Sequence, residues 1–504
     1  MNLGFSKWGS VLLFCAVSMT GLADQPNPPS ISDIFNKIKS NQTELKSFLT
    51  QMPKGGDLHN HLSGSIYAEN LIHYGATKGL CLNTKTEIVT QTQPCDGVEL
   101  AQVSPRSPLY QRVIDAWSLR HLNHESSADH DHFFAIFPKI AAISQQERGK
   151  LLADVVAQAS AQRIHYLELM LAPDNGTSAS LGQSLSPALT WSKLYSSIKT
   201  PAFEQGIQSS LQRIQEMEQT KSALLHCGSP HASASCGVKV RYLAEVYRNQ
   251  PRPQFFAQLM TEFELSQRDS RIVGINFVGP EDGPLALSDY VWQMRALHYL
   301  HKRYPKTHIS MHAGELREDA MLSPSWKNHI TQAIHVGGAE RIGHGTAILA
   351  EHDSKQLFRD MTRRDIPVEI NLTSNRKILH ISGQEHPAPL YLKQGVPIVL
   401  STDDAGIFRT SLTEEYLTAV QQYGWDYDQI KQINRNSLTY SFLPGASLWT
   451  SPTAKEVIPA CREAFHHQSA PSSVCQQFLA NNEKAQAQWT LELGLWEFER
   501  HTTQ

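Results

Sequence analysis

The stretch Pro53-Lys54-Gly55-Gly56-Asp57-Leu58-His59-Asn60-His61-Leu62 governs how the rest of the chain is read. Successive strand residues point to opposite faces, so histidines at i and i+2 project the same way. Two imidazoles at the end of one strand can therefore grip a single metal ion. The glycine and apolar residues before them, and Leu62-Ser63-Gly64 after them, fit a strand running out into a loop. The pattern is weak alone: with 23 histidines in 504 residues, chance supplies about one His-x-His. A second one exists, His130-Asp131-His132. Their settings have to separate them.

From His61 onward the chain alternates. Candidate strands, each apolar and each ending in a polar or glycine-rich loop, are Gly56–His61, Ile164–Ala172, Ser222–His226, Ile272–Gly279, Thr307–His312, Arg341–His344, Val368–Leu372 and Ile398–Thr402. Helical patterns such as Leu285–Arg303 and Asp353–Arg364 separate them. Eight strands alternating with helices specify an α/β fold, a (β/α)8 TIM barrel. About a hundred residues divide the first two strands, far beyond an ordinary crossover. An insertion is expected there, over about residues 76–130, and a helical C-terminal extension over about 447–504. Asn27-Pro28-Pro29-Ser30 reads as a linker, and Ser32 opens an amphipathic helix to about Leu49.

The N-terminus reads as a signal peptide, residues 1–23. Lys7 precedes the apolar run Trp8–Met19, and Gly21-Leu22-Ala23 offers small residues for cleavage. A lipoprotein signal ending at Cys15 is the alternative, although Phe14 stands where a small residue is wanted. The barrel unit would then occupy residues 24–504, exported to a periplasm or secreted. The other cysteines fall in three close pairs, Cys81/Cys95, Cys227/Cys236 and Cys461/Cys475. Three local disulfides fit an oxidising compartment, and buried thiols are the other reading. A net charge of −3, with no long basic run, argues against a nucleic-acid partner. No later apolar run is long enough for a membrane span. Oligomeric state is left open, a dimer included.

Catalytic groups of such barrels sit at the C-terminal ends of the strands. There the sequence sets out His59 and His61, then His312-Ala-Gly-Glu315, Arg341-Ile-Gly-His344, Glu369-Ile-Asn-Leu-Thr-Ser-Asn375, and Ser401-Thr-Asp403-Asp404. Each has a bland explanation singly. A strand-end histidine is more often a satisfied structural group, and His165 and His226 are left in that class. Asp403-Asp404 would serve as a helix cap. Co-occurrence on five strands lowers that alternative. His130-Asp131-His132 lacks the setting and reads as a helix start within the insertion. Three neutral histidines and a carboxylate suit zinc, which lowers the pKa of a bound water to about 7. Glu315 is placed to act as an acid if burial raises its pKa, and His344 to orient the nucleophile.

The set Asp57-Leu-His-Asn-His-Leu-Ser-Gly-Ser65, His312-Ala-Gly-Glu315, Arg341-Ile-Gly-His-Gly345, Asn371-Leu-Thr-Ser-Asn375 and Ser401-Thr-Asp-Asp404 resembles the adenosine deaminase family of metal-dependent hydrolases. The resemblance runs over most of residues 50–445. Leu109–Trp117, His132-Phe133-Phe134, the insertion and the cysteine pairs are similar to its extracellular, growth-factor-type branch. It implies one Zn2+ on His59, His61, His312 and Asp403, attack at purine C6, and Glu315 protonating N1. It also implies His344 steadying the attacking oxygen, Asp404 bonding N7 and the Gly279 backbone meeting N3, with His61 and Ser63 beside the substrate. The product would be inosine, with ammonia, from adenosine or 2′-deoxyadenosine. Family members usually carry Asp where Ser63 stands, and that Asp holds the sugar hydroxyls. The departure leaves the reaction its residues and the ribose without its usual carboxylate.

A deaminase of AMP or of N6-substituted adenine nucleosides or nucleotides would want cations at the site, and Arg376, Lys377 and Arg409 follow strands seven and eight. A two-metal amidohydrolase would want a lysine on the fourth strand, and Ile272–Gly279 has none. A secreted nucleoside-binding or signalling protein without turnover has little need of a complete acid and metal set. Asn41-Gln-Thr43 and Asn175-Gly-Thr177 fit glycosylation acceptors in a eukaryotic secretory route.

Overall fold

The computed structural model describes Met1 and residues 29–92, 94–122, 126–317 and 327–504; apart from Met1, the expected signal segment lies outside the described residues. Eight strands run β1 (Lys54–His61), β2 (Ile164–Leu171), β3 (Lys239–Tyr247), β4 (Ile272–Val278), β5 (His308–Ala313), β6 (Arg341–His344), β7 (Val368–Ile370) and β8 (Ile398–Leu400). They pair in chain order, and every pair is parallel. Helices cover the outside, so strands such as β1, β7 and β8 are buried at every residue. The seam between first and last strands is closed just past β8. Asp403 N–H donates to the His59 carbonyl at 2.8 Å, and His61 N–H to the Asp403 carbonyl at 3.2 Å. The expected (β/α)8 barrel is the fold.

The third strand lies later in the chain than the sequence pattern suggests. Ser222–His226 is not the third strand; it is the last turn and exit of a long helix, Pro201–Leu224. That helix starts where the Thr200 hydroxyl accepts from Phe203 N–H, and it buries Phe203, Ile207, Ser210, Ile214 and Met217 at helical spacing. The strand comes after the Cys227–Cys236 disulfide, at Lys239–Tyr247. Its charges, Lys239, Arg241 and Glu245, masked the alternation of Val240, Tyr242, Ala244 and Val246. The N-terminal helix also divides in two, Ile31–Ile38 and Gln42–Gln51. Asn41 makes the break, because its side chain accepts from Thr43 and Glu44 N–H and caps the second helix.

Between β1 and β2 lie a helix (Ala68–Thr77), a small antiparallel sheet, and two further long helices, Ser126–Gln146 and Arg148–Ala161. Phe133 of the first of these long helices stacks on Phe408, just beyond β8, at 5.2 Å between ring centroids. That contact lays the helix against the barrel mouth. Beyond Ser447 the chain forms its own apolar cluster around Trp449, Trp489 and Trp496, ending in the helix Glu483–Thr503. Among the described residues no helix is long and apolar enough to cross a membrane.

The three local cysteine pairs are disulfides, Cys81–Cys95, Cys227–Cys236 and Cys461–Cys475. The last closes a loop of 14 residues within the C-terminal cluster. Its replacement by serines is expected to cost about 3 kcal/mol, read as a lower melting temperature. A melt identical to the wild type would show that the bridge constrains nothing.

Candidate active site at the barrel mouth

His59, His61, His312 and Asp403 converge at the C-terminal ends of β1, β5 and β8. His61 Nε2 lies 3.4 Å from His312 Nε2 and 3.3 Å from Asp403 Oδ1. His59 Nε2 lies 3.6 Å from the same oxygen, and no hydrogen bond satisfies that buried nitrogen. A tetrahedral ion with bonds of about 2.1 Å sets its ligand atoms about 3.4 Å apart. The spacing therefore fits a small divalent cation. His59, His312, His344 and Asp403 also form a buried group with donor atoms within 4.8 Å, and His61, Asp403 and Asp404 form an overlapping one. His344 Nε2 lies 3.9 Å from Asp403 Oδ2.

What backs each ring separates His344 from the other three. The Nδ1 atoms of His59, His61 and His312 face oxygen acceptors: Glu369 Oε2 at 2.7 Å, Glu245 Oε1 at 2.7 Å and Asn276 Oδ1 at 2.6 Å. An acceptor behind Nδ1 holds the proton there and frees the Nε2 lone pair to bind a cation. Behind His344 Nδ1 stands the side-chain amide of Asn375 at 2.9 Å. The rings of His59, His61 and His312 are thus backed by acceptors, and that of His344 by a donor.

Buried charges tune the site. Burial opposes a charge on Glu369, but the Arg341 guanidinium overrides it and holds this carboxyl at about 2. Arg341 donates to both Glu369 and Glu168 in the barrel interior. Burial likewise opposes a proton on His59, yet Asp403 and Glu369 raise it to about 10. A proton on His59 and a metal ion on the same nitrogen are alternatives, so this carboxylate field is one that draws a cation. Burial and the neighbouring His59 hold His312 well below the usual histidine range. Burial, with the negative Asp403 beside it, lifts Glu315 to about 8. The same two causes push Asp404 well above the carboxylate range.

Glu315, at about 8, keeps its proton at neutral pH and is a donor, and burial beside Asp403 favours the protonated, donating form of Asp404. Glu315 is anchored through its backbone, whose N–H donates to Glu281 Oε2 at 2.9 Å. Asp404 is seated by Gly64: a Cβ there would fall 1.6 Å from Asp404 Oδ1. Gly279 ends β4 with φ +95, a conformation open to glycine. His344 and Asp403 also have positive φ, at +65 and +59. Strain of that kind persists only where surrounding structure over-determines it.

The cluster opens into a cavity of about 320 Å³ lined by Ser63, His61, Gly279, Glu315, Asp403 and Asp404 among others. Every substrate-side residue expected from sequence except His344 lines it, and His344 lies buried beneath. The roof was not foreseen. It is the helix Ser126–Gln146, through Phe133, Phe134, Phe137 and Ile140. Its His130 points to Asp282 at 3.3 Å rather than into a metal group, and His165 and His226 stand outside the site. Glu245 escaped notice because its strand did; Arg148, also in the lining, carries no pattern of its own. Arg376, Lys377 and Arg409 do not line the cavity. Lys377 donates to the Leu119 carbonyl and Arg409 pairs with Glu69.

A parallel barrel with a buried His/His/His/Asp group at its mouth has the architecture of metal-dependent hydrolases. The adenosine deaminase family profile matches residues 115–447, and the chain belongs to that family. An adenosine deaminase of Edwardsiella ictaluri is 31% identical over 232 residues, 46% of this chain and 62% of the relative, so the chain spans under two thirds of it. A Xenopus laevis adenosine deaminase is 23% identical over 77% of this chain and 90% of its own. Two solved structures share the fold. One is an Arabidopsis N6-mAMP deaminase (21% identity, TM-score 0.51, 79% of this chain and 96% of that one). The other is a Burkhoderia ambifaria amidohydrolase with bound Zn (14%, TM-score 0.53, 88% and 94%).

Glu369→Gln is expected to weaken zinc binding about 10- to 100-fold, because it removes the anion behind His59. Competition against a chromogenic chelator measures this. An unchanged affinity would remove Glu369 from the support of the metal group.

Proposed function

We propose that the protein is a zinc-dependent hydrolase that converts adenosine, and 2′-deoxyadenosine, to inosine or deoxyinosine and ammonia. One observation carries the reading: Glu315, which holds a proton at neutral pH, and Asp404, whose burial favours one, line the same cavity as His61, His312 and Asp403. Adenine presents ring acceptors at N1, N3 and N7. Glu315 donates to N1, which draws electrons from C6 and makes that carbon open to attack. Asp404 donates to N7, and the Gly279 backbone approaches N3. His344 steadies the oxygen of the attacking water. His59, His61, His312 and Asp403 would hold the zinc, which supplies Lewis acidity to bring a water toward hydroxide at neutral pH. As the C6–O bond forms, N1 takes the Glu315 proton; of the two water protons one goes to the amino group and the other returns to Glu315, the C6–N6 bond breaks, and ammonia leaves with the N1–H inosine as product.

The sugar end is less like the family pattern. Ser63 stands where the family usually carries an acidic residue after the histidine pair, and it lines the cavity together with His61 and Glu245. With Lys377 and Arg409 engaged elsewhere, a neutral nucleoside suits the lining better than a nucleotide. Arg148 favours the second reading, deamination of AMP or an N6-substituted adenine nucleotide, because it is a cation in the lining. The three disulfides support export, with the signal segment removed.

Zinc-loaded protein offered adenosine, deoxyadenosine, AMP and N6-methyl-AMP is expected to turn over the nucleosides fastest. A preference for AMP that Arg148→Ala abolishes would select the second reading. Binding without turnover of any of them would make the protein a nucleoside-binding or signalling one. Glu315→Gln is expected to lower kcat about 1,000-fold, and retained activity would remove it as the acid.

A further inference from the structure

A neutral imidazole carries one proton, and its position decides whether His344 enters the site as donor or acceptor. With the proton on Nδ1, the nitrogen facing Asp403 would be a lone pair, able to bind a cation or take a proton. With the proton on Nε2, that nitrogen only donates. A chain of hydrogen bonds behind the ring settles the choice, and it starts from a group of fixed polarity. The Ala388 backbone N–H donates to His386 Nδ1 at 3.1 Å. His386 Nδ1 is therefore a lone pair. This histidine is 2% exposed, and burial holds it down at about 4, so it is neutral with its proton on Nε2.

His386 Nε2 lies 3.0 Å from Asn375 Oδ1 and donates to it. That contact orients the Asn375 amide, whose nitrogen then points to His344 Nδ1 at 2.9 Å. An amide nitrogen donates and cannot accept. The Asn371 amide nitrogen, 3.5 Å from Nδ1 and 3.4 Å from Nε2, does not choose between them, and Glu315 Oε1 stands farther from Nδ1, at 3.5 Å, than the Asn375 amide does. His344 Nδ1 is left as an acceptor, and the proton of the ring falls on Nε2.

We propose that His386 and Asn375 are positioning residues that lock His344 as its Nε2–H tautomer, so that it meets the reacting oxygen as a hydrogen-bond donor. The proposal rests on the reading that His344 faces that oxygen. Neither residue lines the cavity, and both act through His344. The lock also explains why a fourth histidine can stand beside the metal group without joining it. Its nitrogen facing the group has no free lone pair, whereas those of His59, His61 and His312 do.

The test is the tautomer itself. In zinc-loaded protein labelled with 15N histidine, the His344 signals, assigned by comparison with His344→Gln, are expected to show an unprotonated Nδ1 and a protonated Nε2. Asn375→Asp offers a carboxylate that accepts only. It is expected to move the proton to Nδ1 and lower kcat about 100-fold, with little change in KM. His386→Phe removes the first donor while keeping ring shape, and a loss of about 10-fold in kcat is expected. His386→Gln can again donate to Asn375 and is expected to restore most of it. If the phenylalanine variant does not fold, Asn375→Asp and His386→Gln decide. A proton on Nδ1 in the wild type, or a tautomer unmoved by Asn375→Asp, overturns the proposal. Expected tautomers in a protein that deaminates none of the substrates would instead overturn the function and leave the lock standing.

Discussion

The barrel seam is the constraint on which the site depends. Residues 59 and 61 and residue 403 lie at opposite ends of the barrel sequence, and two backbone hydrogen bonds across the seam join them. Those bonds fix Asp403 against His59 and His61 to within the reach of a single cation. They also force Asp403 into a left-handed conformation that an L-residue adopts only under constraint. Closure of the fold and assembly of the metal group are thus one event. Once the seam is shut, β5 delivers His312 from the far side of the mouth.

Behind that group the barrel interior works as an electrostatic support. Arg341 neutralises Glu369 and Glu168, Glu369 holds His59, and Ser310 donates to Glu369 at 2.8 Å. Burying so many charges is tolerable because each is matched and hydrogen-bonded. The result is a gradient: anions are stabilised just below the metal group, while above it Glu315 keeps its proton and Asp404 is pushed well above the carboxylate range. The same residue type therefore plays two parts on two sides of one cluster, and only surroundings distinguish them. Glu315 owes its place to a further buried carboxylate, Glu281, which accepts from Gly314 and Glu315 N–H and from His329.

Much of this was legible in the chain. Polar residues at the ends of apolar runs marked the barrel mouth, and Asp57–Ser65, His312–Glu315 and Ser401–Asp404 carried enough pattern to name a family. The third strand was lost because Lys239, Arg241 and Glu245 break its apolar run, whereas Ser222–His226 imitates one at a helix end. With the strand went Glu245, the partner of His61. The roof of the cavity was equally hidden. Phe133, Phe134 and Phe137 read as an amphipathic helix, which they are, but the amphipathic face does not say what it covers.

Sequence by itself determined the elements and the chemistry available to them: the (β/α)8 alternation, the histidine pair, the acid after His312, the doublet at 403 and 404, and cysteines close enough to bridge locally. These are local properties, set by periodicity, spacing and residue type. The tertiary structure decided which histidines can bind a cation and which one donates. What stands behind its ring sets His344 apart from His59, His61 and His312, and Asn375 and His386 reach it from a different strand end. It decided likewise that Glu369 is ionised and Glu315 is not. Proton positions follow from partners and burial, and those exist only when the chain is folded.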